Sequence, residues 1–254
     1  MIPKVIHQIF YPFYFKEMPE QWVKNIQVWK NMHPSFQHKL WGYDESLEFL
    51  KQNYPWFVET WENYPHNIQK CDAIRYFILY HYGGLYADLD LIPLRPIDNL
   101  MEYDMLIVES GIGGGYTNSF LGVKPGHEFF KLATEGLQST VNKFWFLGKH
   151  MNVMFSTGPA FLTNIKKEYK GNDIFTICSR VYHGDCTPCS DTTDGCNGFL
   201  FGHTDGKSWN KWDTKLLNHL YCNRKEYIIL ILLIVVFMLW YFGFYKKCRV
   251  RCSN

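Results

Sequence analysis

The stretch Cys71-Asp-Ala-Ile-Arg-Tyr-Phe-Ile-Leu-Tyr-His-Tyr-Gly-Gly-Leu-Tyr-Ala-Asp-Leu-Asp90 decides how this chain folds. Its first part belongs to a predicted helix, Asn67–Tyr82, opened by a capping-type Asn and stopped by Gly83-Gly84. Its last part, Leu85–Leu89, reads as a strand, closed on its far side by Pro93 and Pro96. Asp72 and Arg75 are three residues apart on the helix and share a face. Tyr86, Asp88 and Asp90 alternate along the strand and also share one. The glycine turn brings the two elements together. A carboxylate and a guanidinium then meet two further carboxylates at a strand end, where open α/β sheets bind ligands.

Working outward, Lys4–Phe10 reads as a first strand after Pro3, and His38–Trp41 as a second. Pro19–Met32 places Trp22, Ile26 and Trp29 at helical spacing. Asp44 is expected to cap a helix with Leu47 and Leu50 on one face. Asp104–Glu109 and Phe120–Val123 read as strands, Glu128–Leu137 and Pro159–Tyr169 as helices. Strands alternating with helices over this length predict an α/β sandwich. No internal repeat interrupts it.

Two carboxylates two residues apart suit a hard divalent ion, and such an ion neutralises a leaving diphosphate. Carboxylate and phosphate oxygens favour Mn²⁺ or Mg²⁺. Arg75 is of a type that grips phosphate or sugar oxygens through two N–H groups, and Asp72 can accept hydrogen bonds from sugar hydroxyls. An Asp-x-Asp alone is an ordinary solvated turn. The joined pattern D-x-x-R, then GG-x-Y-x-D-x-D, is far more specific.

Charge separates the chain into two parts. Six of the 26 basic residues and one of the 24 acidic residues lie beyond residue 223, so residues 1–223 carry 20 against 23. That balance offers no electrostatic footprint for nucleic acid. Met1–Val5 lacks the basic-then-apolar pattern of a secretory signal. Tyr227 to Tyr245 reads YIILILLIVVFMLWYFGFY without a charge, about 28 Å as a helix, close to a hydrocarbon core of about 30 Å. Trp240, Tyr241 and Tyr245 fit an aromatic belt, and Lys246-Lys247 follow. The expected organisation is a catalytic domain over 1–223 and, over 224–254, a single C-terminal transmembrane helix with a short basic tail. Sidedness stays open, between an endomembrane, Golgi-like protein and a tail-anchored one. Four of the eight cysteines, Cys178, Cys186, Cys189 and Cys196, cluster in sequence. Disulfides, a zinc site and free thiols are all compatible with their spacing.

These residues resemble glycosyltransferase family 32, the DXD sugar-binding group, which includes fungal α-mannosyltransferases, inositol-phosphoceramide mannosyltransferases and bacterial capsule enzymes. Ile2-Pro3-Lys4-Val5-Ile6-His7-Gln8-Ile9-Phe10 is similar to the family's opening IPKIIHQIW, with Phe10 in place of Trp. Leu40-Trp41, the Asp72–Asp90 motif, Pro96-Ile97-Asp98, Asn118 with Pro125-Gly126-His127, Thr157-Gly158-Pro159, and His203 with Ser208-Trp209 follow in the family's order, over about residues 2–210. The segment Cys178–Cys196 departs from the family's pattern.

The resemblance implies a GT-A-type nucleotide-sugar-binding sandwich and retention of anomeric configuration. It implies Mn²⁺ or Mg²⁺ held by Asp88, Asp90 and His203, and a catalytic constellation of Asp72, Arg75, Asp88 and Asp90. His7, Gln8, Tyr86, Asn118, Ser208 and Trp209 are the expected substrate-binding residues. The expected reaction moves a hexose, mannose in its sharpest version, from a GDP- or UDP-sugar to a glycan or membrane glycolipid. The alternative is a membrane-tethered sugar- or nucleotide-binding protein without catalysis.

Overall fold

The computed structural model describes residues 1–13, 15–111, 114–141, 143–184, 189, 198–204 and 212–251; along the final helix, side chains are described as far as residue 241. In chain order the elements are β1 (Val5–Ile9), α1 (Glu20–Met32), β2 (Gln37–Trp41), α2 (Tyr43–Asn53), α3 (Pro55–Glu62), α4 (Asn67–Tyr82), β3 (Gly84–Ala87) and β4 (Leu91–Pro93). Then come β5 (Met105–Glu109), β6 (Tyr116–Val123), α5 (Glu128–Thr140), α6 (Gly148–Ser156), α7 (Pro159–Glu168), β7 (Ile174–Ile177), α8 (Ser179–His183), β8 (Phe201–His203), α9 (Trp212–Cys222) and α10 (Arg224–Arg251). Short 3-10 turns occupy Asp98–Glu102 and Trp145–Leu147.

Six strands form one sheet in the order β2-β1-β3-β6-β5-β7, and β4 pairs with β8 in a second, two-stranded one. β1 runs parallel to β2 and β3, and β6 runs antiparallel to both β3 and β5. Alternation along the strands sorts the core. Leu85 and Ala87 of β3 join the cluster with Trp29, Leu91 and Phe201, while Tyr86 joins the one built on α4, α5 and α7. Met105 and Ile107 face that second cluster, Leu106 and Val108 the first. Helices therefore cover one sheet face, and α1 with the β4–β8 ribbon covers the other.

The central helix α4 is buried from Ala73 through Leu79 without a break, so it shows no amphipathic stripe. Its N-terminus is capped by the His66–Gln69 pair, the His66 backbone N–H donating to Gln69 Oε1 at 3.0 Å, rather than by the expected Asn67. Gly42, not Asp44, is the cap of α2, with Asp44 in its first turn. At the other end of α4, Gly83 and Gly84 have φ of 65° and 94°. A Cβ on Gly83 would lie 2.6 Å from Pro125 Cδ, and one on Gly84 would lie 2.7 Å from the Val5 carbonyl oxygen. The helix-to-strand turn thus requires glycine at both positions.

One irregularity shapes the site. While β5 advances three residues from Met105 to Val108, β6 recedes six, from Val123 to Thr117. Within this bulge the Asn118 carbonyl is not used by β5 and accepts from Arg75 at 2.7 Å. The Ser119 carbonyl accepts from the Asp88 N–H at 2.9 Å, one step beyond the Ala87–Phe120 pair of β3 and β6.

The chain divides into two compact units, Met1–Lys211 and Trp212–Asn254, so α9 goes with α10, ahead of the change in charge near residue 224. In the second unit every residue from Ile228 to Tyr241 is an exposed hydrophobic. Among the described residues, no helix is long and apolar enough to cross a membrane. Tyr227–Tyr241, the part of the apolar run with described side chains, spans about 22 Å at helical rise. Cys189 and Cys222 are each disulfide-bonded, whereas Cys71 and Cys178 are free. Cys186 and Cys196 lie outside the described residues.

Candidate functional site

An open cavity of about 250 Å³ lies beyond the carboxyl ends of β1 and β3. Ile9, Phe10, Tyr11, Phe13, Phe15 and Trp22 form one wall. Asp72, Arg75, Tyr86, Asp88, Asp90 and Asn118 form the other. Six of the residues anticipated from sequence therefore meet in one place.

Arg75 organises the polar wall. It is 3% exposed, and its guanidinium meets Asp72 Oδ1 at 2.9 Å and Asp88 Oδ1 at 3.2 Å. Nη1 also donates to the Asn118 carbonyl at 2.7 Å, and Nε to the Cys71 carbonyl at 3.3 Å. The guanidinium carbon sits 4.3 Å from the centre of the Tyr86 ring. Burial opposes its charge, but Tyr86, Asp88 and Asp72 outweigh that and hold its pKa above the ordinary value. Four of its five N–H groups are committed. That leaves too few for the two-pronged phosphate grip expected from sequence; this arginine positions carboxylates.

Asp72 is equally committed. Asn118 Nδ2 donates to Oδ1 at 3.0 Å and Thr157 Oγ1 to Oδ2 at 3.1 Å. Burial raises its carboxyl to about 6; Arg75 pulls it down and the Asp88 charge pushes it up. Tyr76 completes this group, donating to the Thr157 carbonyl at 2.7 Å. Asn118 thereby touches Asp72 and Tyr76 with its side chain and Arg75 with its backbone.

Asp88 is fixed from four elements. Tyr86 donates to its Oδ1 at 2.6 Å, Arg75 to the same atom, and its N–H binds the Ser119 carbonyl. Its carbonyl accepts from Gln8 Nε2 at 3.4 Å. Gln8 Oε1 in turn accepts from His38 Nε2 at 2.7 Å. Burial holds His38 down at about 4, so the ring is neutral and donates.

His7 and Gln8 do not line the cavity. The indole N–H of Trp41 donates to His7 Nδ1 at 3.1 Å, so Nε2 carries the proton and donates to the Gly83 carbonyl at 3.0 Å. Burial lowers its pKa to about 4. Both residues brace the sheet behind the site; they lie two and one positions short of the end of β1.

His203 ends β8 opposite Leu91 of β4. The next residue, Thr204, donates its N–H to the Asp90 carbonyl at 2.8 Å, and Asn25 bridges Thr204 and the Leu89 carbonyl. The His203 ring packs edge-on to Tyr182 at 5.0 Å and is not part of the cavity wall. Among the described residues no three His, Cys, Asp or Glu side chains form a metal-binding cluster. Ser208 and Trp209 lie outside the described residues.

Sequence reasoning missed several neighbours. Thr117 and Ser119 hydroxyls lie 2.8 Å apart on the cavity wall, and Ser119 Oγ reaches Tyr182 OH at 2.6 Å. Burial, with the charges of Asp88 and Asp90, pushes the Tyr182 hydroxyl well up. Nothing in their spacing marks these residues; only Thr157 stood in a recognisable motif. The aromatic wall was visible as composition and not as a surface.

A sequence model described as the glycosyltransferase sugar-binding region containing a DXD motif matches residues 19–106. The chain is 34% identical over 257 residues to mannosyl phosphorylinositol ceramide synthase SUR1 of Saccharomyces cerevisiae, covering 99% of this chain and 62% of that one. It is 33% identical to inositol phosphoceramide mannosyltransferase 1 of Schizosaccharomyces pombe, over 89% of this chain and 67% of the relative. Against mannosyltransferase 2 of the same organism the identity is 31%, over 99% and 70%. The chain thus spans under two thirds of the SUR1 relative's length. Among solved structures, PaToxG Glycosyltransferase superposes with a TM-score of 0.50 at 16% identity, over 66% of this chain and 69% of that one. At that identity the likeness concerns the fold, a mixed α/β glycosyltransferase fold.

Proposed function

Since this chain belongs to the glycosyltransferases whose sugar-binding region contains a DXD motif, we propose that it is a retaining, metal-dependent hexosyltransferase. It takes the hexose, mannose being the first candidate from its relatives' names, from a GDP- or UDP-sugar. The acceptor is a glycan or, more sharply, a membrane glycolipid such as an inositol phosphoceramide. One observation carries this reading: Asp72, Arg75, Asp88 and Asp90 converge on one wall of one open cavity.

The donor set suits a hard divalent ion. Asp88 and Asp90 offer carboxylate oxygens to a cavity whose only cation among the described residues, Arg75, is already shared between two acids. Mn²⁺ or Mg²⁺ commonly binds through one or two carboxylates, with phosphates and water completing the shell. Asp88 and Asp90 would hold it, with His203 as a further proposed ligand. Bound there, the ion would supply the positive charge that stabilises a departing nucleoside diphosphate. The chain's own residues do the rest. Asp72 faces the cavity as a fixed acceptor for donor-sugar hydroxyls. Arg75 keeps Asp72 and Asp88 at a set separation, so the site needs little reorganisation as charge develops. The acceptor hydroxyl attacks the face the diphosphate leaves, and its proton passes to that diphosphate.

The apolar run of α10 supports a single C-terminal membrane anchor, and we place the protein in the endomembrane system. Disulfide bonds at Cys189 and Cys222 favour an oxidising lumen for the catalytic unit. The test is direct: the full chain in detergent, a panel of UDP- and GDP-sugars, Mn²⁺ against EDTA, and nucleoside diphosphate release as readout. Metal-dependent release from one donor, absent in Asp90→Ala, is the expected result. Release from none, with no metal-dependent donor binding, overturns the catalytic reading.

A further inference from the structure

The connection between α5 and α6 carries Lys143-Phe-Trp-Phe-Leu-Gly-Lys149. Phe146 is 64% exposed and Leu147 41%, although both are large and apolar. Scattered exposed apolar residues mean little. These two are adjacent on a 3-10 turn rooted in the fold: Phe144 packs on Phe155 at 5.3 Å, and Gly148, with φ of 80°, turns the chain into α6. A lysine stands on each side, Lys143 exposed and Lys149 half-buried. Aromatic and aliphatic tips between lysines suit the boundary of an anionic bilayer, where rings enter the headgroup layer and ammonium groups meet phosphates.

The position relative to the cavity gives this surface a use. α6 begins at Gly148 and places Val153 on the cavity wall, about 7.5 Å further along the helix. Thr157, the residue after α6, is the one that donates to Asp72. The exposed turn and the cavity lining are thus joined by one short helix.

We infer that Lys143–Lys149 is a lipid-contacting surface of the Met1–Lys211 unit, seated on an anionic bilayer beside the mouth of the cavity. It rests on the reading that the acceptor is a membrane lipid and goes beyond α10 as an anchor. Such a surface would let a lipid acceptor reach the site without leaving its leaflet.

The experiment uses the full chain with benzoylphenylalanine in place of Phe146, reconstituted with phosphatidylcholine vesicles with or without phosphatidylinositol. Irradiation should yield a lipid adduct by mass at position 146. The same group in place of Trp56, 47% exposed on α3, should yield none above background. Adduct formation should fall when phosphatidylinositol is omitted and in the Lys143→Gln/Lys149→Gln variant; equal yields would overturn the role of charge. No lipid adduct at 146 overturns the proposal, and so does a protein–protein adduct, which would assign the face to a second copy. Donor turnover measured in the same preparation separates the two readings. Turnover without a lipid adduct removes only this surface, and an adduct without turnover leaves the surface and removes the activity.

Discussion

The Arg75 guanidinium lies 3.2 Å from Asp88 Oδ1, joining the buried helix α4 to the strand end that carries the paired aspartates. The same group holds Asp72 at 2.9 Å and the Asn118 carbonyl at 2.7 Å. A lysine has one ammonium and cannot serve these directions together. Arg75→Lys should therefore cost on the order of 10²-fold in kcat through misplacement of both carboxylates. Arg75→Ala, which strands Asp72 in the interior, should also cost about 3–5 kcal/mol of stability. Steady-state donor turnover and urea denaturation check the two effects. A Lys variant with full kcat would refute the positioning role.

On the proposed function, Asp72 should make donor turnover pH-dependent on the acid side. Its carboxyl is raised to about 6 from an ordinary 3.8, so kcat/KM should fall as pH drops through about 6, when the carboxylate that Arg75 and Thr157 hold becomes protonated. Stability moves the other way. The folded state holds this proton more tightly than the unfolded one, so the contribution is complete at low pH and is lost as pH rises from 3.8 to about 6. Asp72→Asn should flatten the acid limb at a lower rate. An unchanged acid limb in that variant would place the titration elsewhere.

Asp90 contributes to both the cavity lining and the fold. Its carbonyl accepts from the Thr204 N–H, a contact that Asp90→Asn keeps. The variant keeps the size of the side chain and should still fold, with an unfolding free energy lowered by about 1 kcal/mol or less. Mn²⁺-stimulated donor cleavage should fall by on the order of 10²-fold or more. Calorimetry and nucleoside diphosphate release, run on one preparation, distinguish a lost ion site from a lost fold.

His7 should govern part of the acid denaturation. Its pKa is depressed from 6.5 to about 4 by burial, so its contribution is complete above 6.5 and is lost as pH falls toward 4, to a limit of about 3 kcal/mol. His38 titrates with the same sign. His7→Phe should flatten this slope, and should cost about 1–3 kcal/mol per lost partner at neutral pH by leaving both the Gly83 carbonyl and the Trp41 N–H without His7. Melting curves from pH 4 to pH 8 would show it; a parallel slope in the variant would contradict the assignment.

Much of the fold was legible because it rests on local rules. The glycine pair forces the α4–β3 turn, and period-two alternation marks β3, β5 and β6. Spacing alone brought Asp72, Arg75, Asp88 and Asp90 to one place. What escaped depends on contacts distant in sequence. β4 and β8 are three residues each, too short for a period, and pair across more than a hundred residues. The cap at His66 depends on a Gln69 carbonyl that competes with a better capping residue next door. His7 reads as a substrate-binding residue because it stands in a recognisable opening motif. The cavity lies beyond the strand ends, and His7 stops two residues short of it. Arg75 was legible as a cation near phosphate, but its committed N–H groups could be counted only once the bulge in β6 had turned Asn118 toward it.

The two walls of the cavity differ in what holds them. The polar wall is tied to the backbone of four elements, while on the aromatic side ring packs on ring, Phe15 on Trp22 at 5.1 Å and Phe10 on Trp22 at 6.3 Å. Inheritance should treat them unequally. Selection for a new substrate has room to work among the rings, one substitution at a time, whereas the carboxylate side changes only by several simultaneous steps. Laboratory evolution toward a different ligand should accumulate its first successful changes between residues 10 and 22, and leave Asn118 untouched.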